Sequence, residues 1–176
     1  MNYLSIFILT LISLSCKSEN KNDELNSSPK SELQLKTMTK TAPSEKLTTL
    51  VFKGLDHGVA SIEDGNGPLI PFVMIKTGEQ MNMSRFMEET LEEGLAQAKK
   101  YIVELDEKPE LAIIVYDGLI TENGKKHDAI LVNGYEKNDS KGYCFAQKYK
   151  PKKMLSPFKE IGNTVIVNQF ESILEK

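Results

Sequence analysis

The sequence predicts an α+β domain: a mainly antiparallel sheet, built as a strand meander, packed on one long amphipathic helix plus a shorter N-terminal helix. Three observations predict it. Apolar residues recur at threes and fours through residues 84–105, the spacing of one helical face. Asn123-Gly124 lies between two apolar runs, the strongest short-range signal for a hairpin. The order helix, strand, helix and then successive strands gathers the sheet segments together, as α+β folds do.

The elements follow in chain order. Ser44, after Pro43, is placed to cap a helix reaching about residue 62, with Leu47, Leu50, Val51, Leu55, Val59 and Ile62 on one face. Gly54 and Gly58 weaken that helix by ~1 kcal/mol each relative to Ala. The acidic, Gly-rich stretch 63–68 is a turn, with the alternative of capping a cation or offering amides to an anion. Residues 69–76 (LIPFVMIK) predict a buried strand with Pro71 at its start or on an edge, and residues 78–80 a further turn. Over 84–105, Ser84 is the expected N-cap, Glu88 and Glu89 favour the first turns, and Met87, Leu91, Leu95, Ala98, Ile102 and Leu105 form the stripe.

Residues 111–121 and 126–135 are then the arms of the Asn123-Gly124 hairpin. Centring the turn there pairs Glu122 with Lys125, Val115 with Val132 and Ile113 with Gly134, and puts Ile113, Val115, Ile130 and Val132 on the core face. Residues 143–150 make a third strand, with Tyr143, Phe145 and Tyr149 on one face and Cys144 and Ala146 on the other. A loop is expected over 151–157, a final strand or strand-to-helix transition over 164–170, and fraying over 171–176.

Composition bounds the function. The chain has 176 residues, 40% hydrophobic and 27% charged, and 22 basic against 25 acidic side chains give a net charge of −3. That balance argues against nucleic acid as the main partner, because phosphate binding wants a basic surface. With only Cys16 and Cys144, a disulfide framework is excluded, and Cys144 is expected to be shielded. Residues 3–15 (YLSIFILTLISLS) are apolar, uncharged and about a dozen long, short of the ~20 a spanning helix needs. By length they suit the h-region of a signal peptide or a buried strand. Residues 17–43 are polar and poor in large apolar side chains, the composition of a disordered tether.

The stretch Ser13-Leu14-Ser15-Cys16, closing that apolar run, resembles the lipobox of bacterial lipoproteins. The resemblance implies cleavage after Ser15, a lipid thioether on Cys16, and a membrane as partner through that lipid. It divides the chain into a signal peptide (1–15), a lipidated cysteine with tether (16–43) and one domain (44–176). Glu19, Asp23 and Glu24 resemble signals that send some lipoproteins to the cell surface, and equally suit a solvated linker. The place implied is the bacterial cell envelope, outer membrane or cell surface, with the domain outside the cytoplasm.

Catalytic signatures are missing: the chain holds no G-x-S-x-G, H-E-x-x-H, C-x-x-C or Gly-rich phosphate loop. His57 and His127, each beside an aspartate, would hold a metal only if they converged, so neither metal nor cofactor is expected. Asp117 and Asp128 fall on one sheet face near the hairpin end, where paired carboxylates can share a proton or bind a cation. Cys144, among aromatics, suits a small core residue better than a nucleophile. Lys148, Lys150, Lys152 and Lys153 suit a guarded edge strand or a contact with anionic headgroups. The leading expectation is a non-catalytic binding or accessory domain at the envelope, with an envelope protein as candidate partner. The alternatives are a lipid-anchored immunity protein against an envelope-acting toxin, and a small hydrolase using Asp117, Asp128 or a histidine. Oligomeric state is not encoded in any motif.

Overall fold

A computed structural model describes residues 42–65 and 69–174. All of them fall in one compact unit, Met38–Lys176. The expected signal peptide, Cys16 and the expected tether up to residue 41 lie outside the described residues, as do residues 66–68 of the first turn.

The chain folds as α+β. Helix α1 (Glu45–Asp64) is followed by a hairpin of β1 (Phe72–Thr77) and β2 (Gln80–Arg85), helix α2 (Leu91–Glu104), and a four-strand meander of β3 (Leu111–Glu122), β4 (Lys125–Glu136), β5 (Lys141–Lys150) and β6 (Lys159–Glu171). The strands form one antiparallel sheet in the order β2-β1-β3-β4-β5-β6.

The two helices cover opposite faces. On one, Leu47, Leu50, Val51 and Leu55 of α1 pack against Ile113, Val115, Ile130 and Val132, with Tyr143, Phe145 and Tyr149 beside them. Fully burying an aliphatic side chain of this kind contributes about 1.5–3 kcal/mol. On the other, Ala98 and Ile102 of α2 pack against Ala112, Ile114 and Tyr135, together with Leu174. The period of two along each strand thus separates two cores.

The Asn123-Gly124 hairpin forms with the expected register: Glu122 pairs with Lys125, Val115 with Val132 and Ile113 with Gly134. Both turn residues have positive φ, 50° and 76°, as a two-residue type I′ turn requires. Ser44 caps α1, its hydroxyl accepting the Leu47 N–H at 3.0 Å. Gly54 does more than weaken that helix. A Cβ there would stand 2.4 Å from Ile113 Cδ1, so its absence lets α1 settle onto β3.

Four expectations are corrected. The helix predicted over 84–105 starts later, because Ser84 lies in a strand that runs to Arg85. Residues 80–85 alternate with a period of two, and Gly78-Glu79 turns them back onto β1, so β2 pairs Met83 with Met74. Thr90 is the true N-cap. Its hydroxyl accepts the Glu93 N–H at 3.2 Å and the Glu93 carboxylate accepts the Thr90 N–H at 3.2 Å, a complete capping box. Met87 therefore leaves the buried stripe, and the N-terminal helix, at 20 residues, is the longer of the two against 14 for α2. The last strand starts at Lys159 rather than 164, and no helix follows it within the described residues. Residues 172–174 do not fray: the Ser172 N–H donates to the Ser140 carbonyl at 2.9 Å and Leu174 is buried.

Candidate functional site

The site arises where β1 stops and β3 continues. Pairing between them runs from Lys76 opposite Leu111 to Phe72 opposite Val115. Beyond Val115, β3 is paired among the described residues only on its β4 side, out to Glu122 opposite Lys125. Pro71 stands immediately before β1. Pro71 has no N–H to give a ladder, and its carbonyl accepts the Phe86 N–H at 2.8 Å. The chain at residues 69–71 and the loop before α2 therefore wall off a cleft of about 370 Å³ over the end of β3. Clefts of that size suit small ligands.

Two kinds of side chain line it. Leu69, Ile70, Phe86, Met87, Leu91 and Leu119 are apolar, and Glu88, Glu89, Asp117 and Asp128 are acidic. Among the described residues, no Lys, Arg or His lines it. The nearby N-terminus of α2 is closed by its own capping box, so carboxylates dominate the charge in the cleft.

Asp117 and Asp128 come together as expected. Asp117 lies opposite Ile130 and Leu119 opposite Asp128, so the two acids are diagonal neighbours on one face. Asp117 is half-buried, and burial raises its carboxyl above the ordinary carboxylate range. Hydrogen bonds from the Tyr149 hydroxyl and the Gly118 N–H pull the other way, and the charge of Asp128 adds to the rise. The Tyr149 hydroxyl donates to Asp117 Oδ1 at 2.8 Å. Tyr149 is held by stacking on Phe158, ring centroids 5.2 Å apart, and burial with the Asp117 contact pushes its phenol well up, so it stays a donor.

Neither histidine joins the acids. His57, on α1, meets Phe72 edge-on with ring centroids 5.0 Å apart, and its Nε2 lies 3.0 Å from an Arg85 guanidinium nitrogen. His127 is opposite Ile120, and the alternation of β4 turns it to the face away from Asp128. No three His, Cys, Asp or Glu side chains among the described residues are grouped to hold a metal. Cys144 is buried on the α2 side near Tyr116, and burial raises its thiol. That is the reverse of nucleophile activation. Lys148 of the basic cluster is paired with Glu122 at 2.8 Å, an ion pair that lowers the Glu122 carboxyl.

Glu88, Glu89 and Tyr149 were missed as site residues. The apolar stripe of residues 84–105 draws the two glutamates into a helix that starts later in the structure. Tyr149 was correctly placed on the core face, but no turn signal aligned its strand with Asp117.

Comparison with protein-family models, curated proteins and solved structures finds no match to the chain. Among the described residues, no helix is long and apolar enough to cross a membrane.

Proposed function

We propose that the chain is a lipid-anchored, non-catalytic binding domain of the bacterial envelope, and that its cleft takes a cationic ligand with an apolar flank. The observation that carries the ligand class is the lining: among the described residues it holds four carboxylates, no cationic side chain, and the apolar Leu69, Ile70, Phe86, Met87, Leu91 and Leu119. In a partly desolvated cleft a charge-assisted hydrogen bond contributes about 1.5–3 kcal/mol, roughly twice a neutral one. The anchor rests on the apolar run ending at Cys16.

The cleft is tested by calorimetric titration with n-octylguanidinium against octyl sulfate. The cation is expected to bind, the anion not, and Asp117→Asn with Asp128→Asn to weaken binding about tenfold. Equal binding of cation and anion contradicts the reading. The anchor is tested by intact mass and fractionation of the wild type against Cys16→Ala in a bacterial host. A soluble, unlipidated wild type removes it.

One observation favours a second reading, a small hydrolase. Two neighbouring carboxylates, one with a raised pKa, are the equipment of general acid and base catalysis. Turnover on a glycoside and ester panel, abolished by Asp117→Asn, would select it.

A further inference from the structure

We infer that the cleft takes its ligand as an added β-strand: an extended basic peptide segment of a partner protein pairs with the free edge of β3 over residues 116–122. The inference rests on the cationic-ligand reading above and deepens it.

The first support is the edge itself. On the β4 side, β3 is paired without a register shift from Leu111 to Glu122. On the other side its partner ends at Phe72, opposite Val115. The backbone groups that residues 116–122 turn to that side meet no further strand among the described residues. Backbone N–H and C=O groups are obligatory hydrogen-bonding groups, and an extended chain laid beside them satisfies its own groups and theirs together. Seven residues of strand span about 23 Å, room for a peptide of about six residues.

The second support is charge complementarity, ordered along the strand. Asp117 and Leu119 point to the same face, and Gly118 between them carries no side chain to block approach from the other. Cross-strand neighbours on one face interact directly. The peptide residue opposite Asp117 should therefore be Lys or Arg, and the one opposite Leu119 apolar. Read along the peptide, this is apolar-x-basic for an antiparallel strand and basic-x-apolar for a parallel one. Leu119 is 59% exposed and Met87 77% exposed, so apolar surface stands open to receive the second residue. Glu88 and Glu89 on the facing wall extend the acidic field.

The test uses the full chain and a fluorescein-labelled peptide of about nine residues, Thr-Leu-Thr-Lys-Thr-Leu-Thr-Lys-Thr, read by fluorescence anisotropy. Two further peptides accompany it: one with glutamate for lysine, and one with alternate backbone nitrogens methylated so that they cannot donate. The lysine peptide should bind with Kd on the order of micromolar, and the glutamate peptide should not bind. N-methylation should weaken binding about tenfold, and so should the pair Asp117→Asn and Asp128→Asn. Backbone amides over 118–121 should gain hydrogen-exchange protection with the lysine peptide. If the methylated peptide binds as tightly as the unmodified one, strand addition is wrong and the cationic cleft stands. If n-octylguanidinium binds and no peptide does, the same conclusion follows. If neither binds, both readings fall. Self-association of the wild type that Asp117→Asn and Asp128→Asn abolish would put a second copy in the cleft and overturn the partner peptide.

Discussion

Two open edges of this sheet are built differently. Among the described residues β6 is paired on one side only, and Val165, Ile166 and Val167 on it are close to half exposed. An apolar edge of that kind invites association between copies. It is also irregular: its register against β5 shifts twice, between Cys144 and Phe145 and between Ala146 and Lys148. Such bulges twist an edge away from a straight incoming strand. The free end of β3 has the opposite character. Its register is unbroken and it opens into a cleft lined by acids. Irregularity makes the first edge a poor template, whereas the second is regular and selective in charge. An open edge can thus be blunted, or reserved for one class of partner.

The largest effect is expected where bulk breaks the β6 side. A Cβ at Gly142 would lie 2.2 Å from Phe170 Cε2, and that ring packs against Tyr135 with centroids 5.5 Å apart. Gly142→Ala should cost about 1–3 kcal/mol by overpacking, seen as a lower urea midpoint. On β3, a Cβ at Gly118 would meet the terminal methyl Leu131 Cδ1 at 2.7 Å, a contact a flexible side chain can relieve. Gly118→Ala should therefore cost less, and a larger loss there would reverse the comparison.

Selectivity comes next. Asp117→Asn with Asp128→Asn should reduce affinity for n-octylguanidinium about tenfold, while Ile166→Lys on β6 leaves it unchanged. Loss of binding in the β6 variant would show that the wrong edge had been assigned.

Tyr149→Phe should act on both stability and charge. Removing the hydroxyl leaves the half-buried Asp117 carboxylate one donor short, at about 1–2 kcal/mol in chemical denaturation. Because that hydrogen bond holds the Asp117 carboxyl down, its loss should raise the carboxyl further.

The pH dependence has a definite sign. Burial raises the folded-state pKa of Asp117 above its unfolded value. Its contribution is therefore favourable below the ordinary carboxylate pKa and is lost as pH rises through the folded value. Asp117→Asn should remove that fall, so the variant gains on the wild type as pH climbs toward neutrality. Urea midpoints of the two proteins across that range give the difference directly, and parallel curves would contradict it. Cation binding should run the other way and weaken on acidification as Asp117 takes up its proton.

The smallest effect is expected from polar replacement on the blunted edge. Val167→Thr should change stability by no more than about 0.5 kcal/mol.

How much of this could be read from the chain depended on local chemistry. The β3–β4 register was legible because Asn123-Gly124 specifies a two-residue turn, and every pairing follows from it. The same register put Asp117 and Asp128 on one face. The start of α2 was legible too, in Thr90-Leu91-Glu92-Glu93, but the stripe through Met87 and the cap-like Ser84 masked it. Extending the helix back to Ser84 hid β2 and removed Glu88 and Glu89 from the cleft. The place of Tyr149 depends on how β5 aligns with β4, and the turn at Asn138-Asp139-Ser140 carries no comparable register signal. Pro71 was legible as the start of a strand. That stopping β1 there leaves β3 exposed follows only from knowing which strands are neighbours.

The most direct test is an NMR titration of the Asp117 side-chain carboxyl in the intact protein, with and without n-octylguanidinium. A midpoint above the ordinary carboxylate range in the free protein, falling when the cation is added, is the predicted result. A midpoint in the ordinary range that the cation leaves unmoved would contradict a partly desolvated acidic cleft built to receive positive charge.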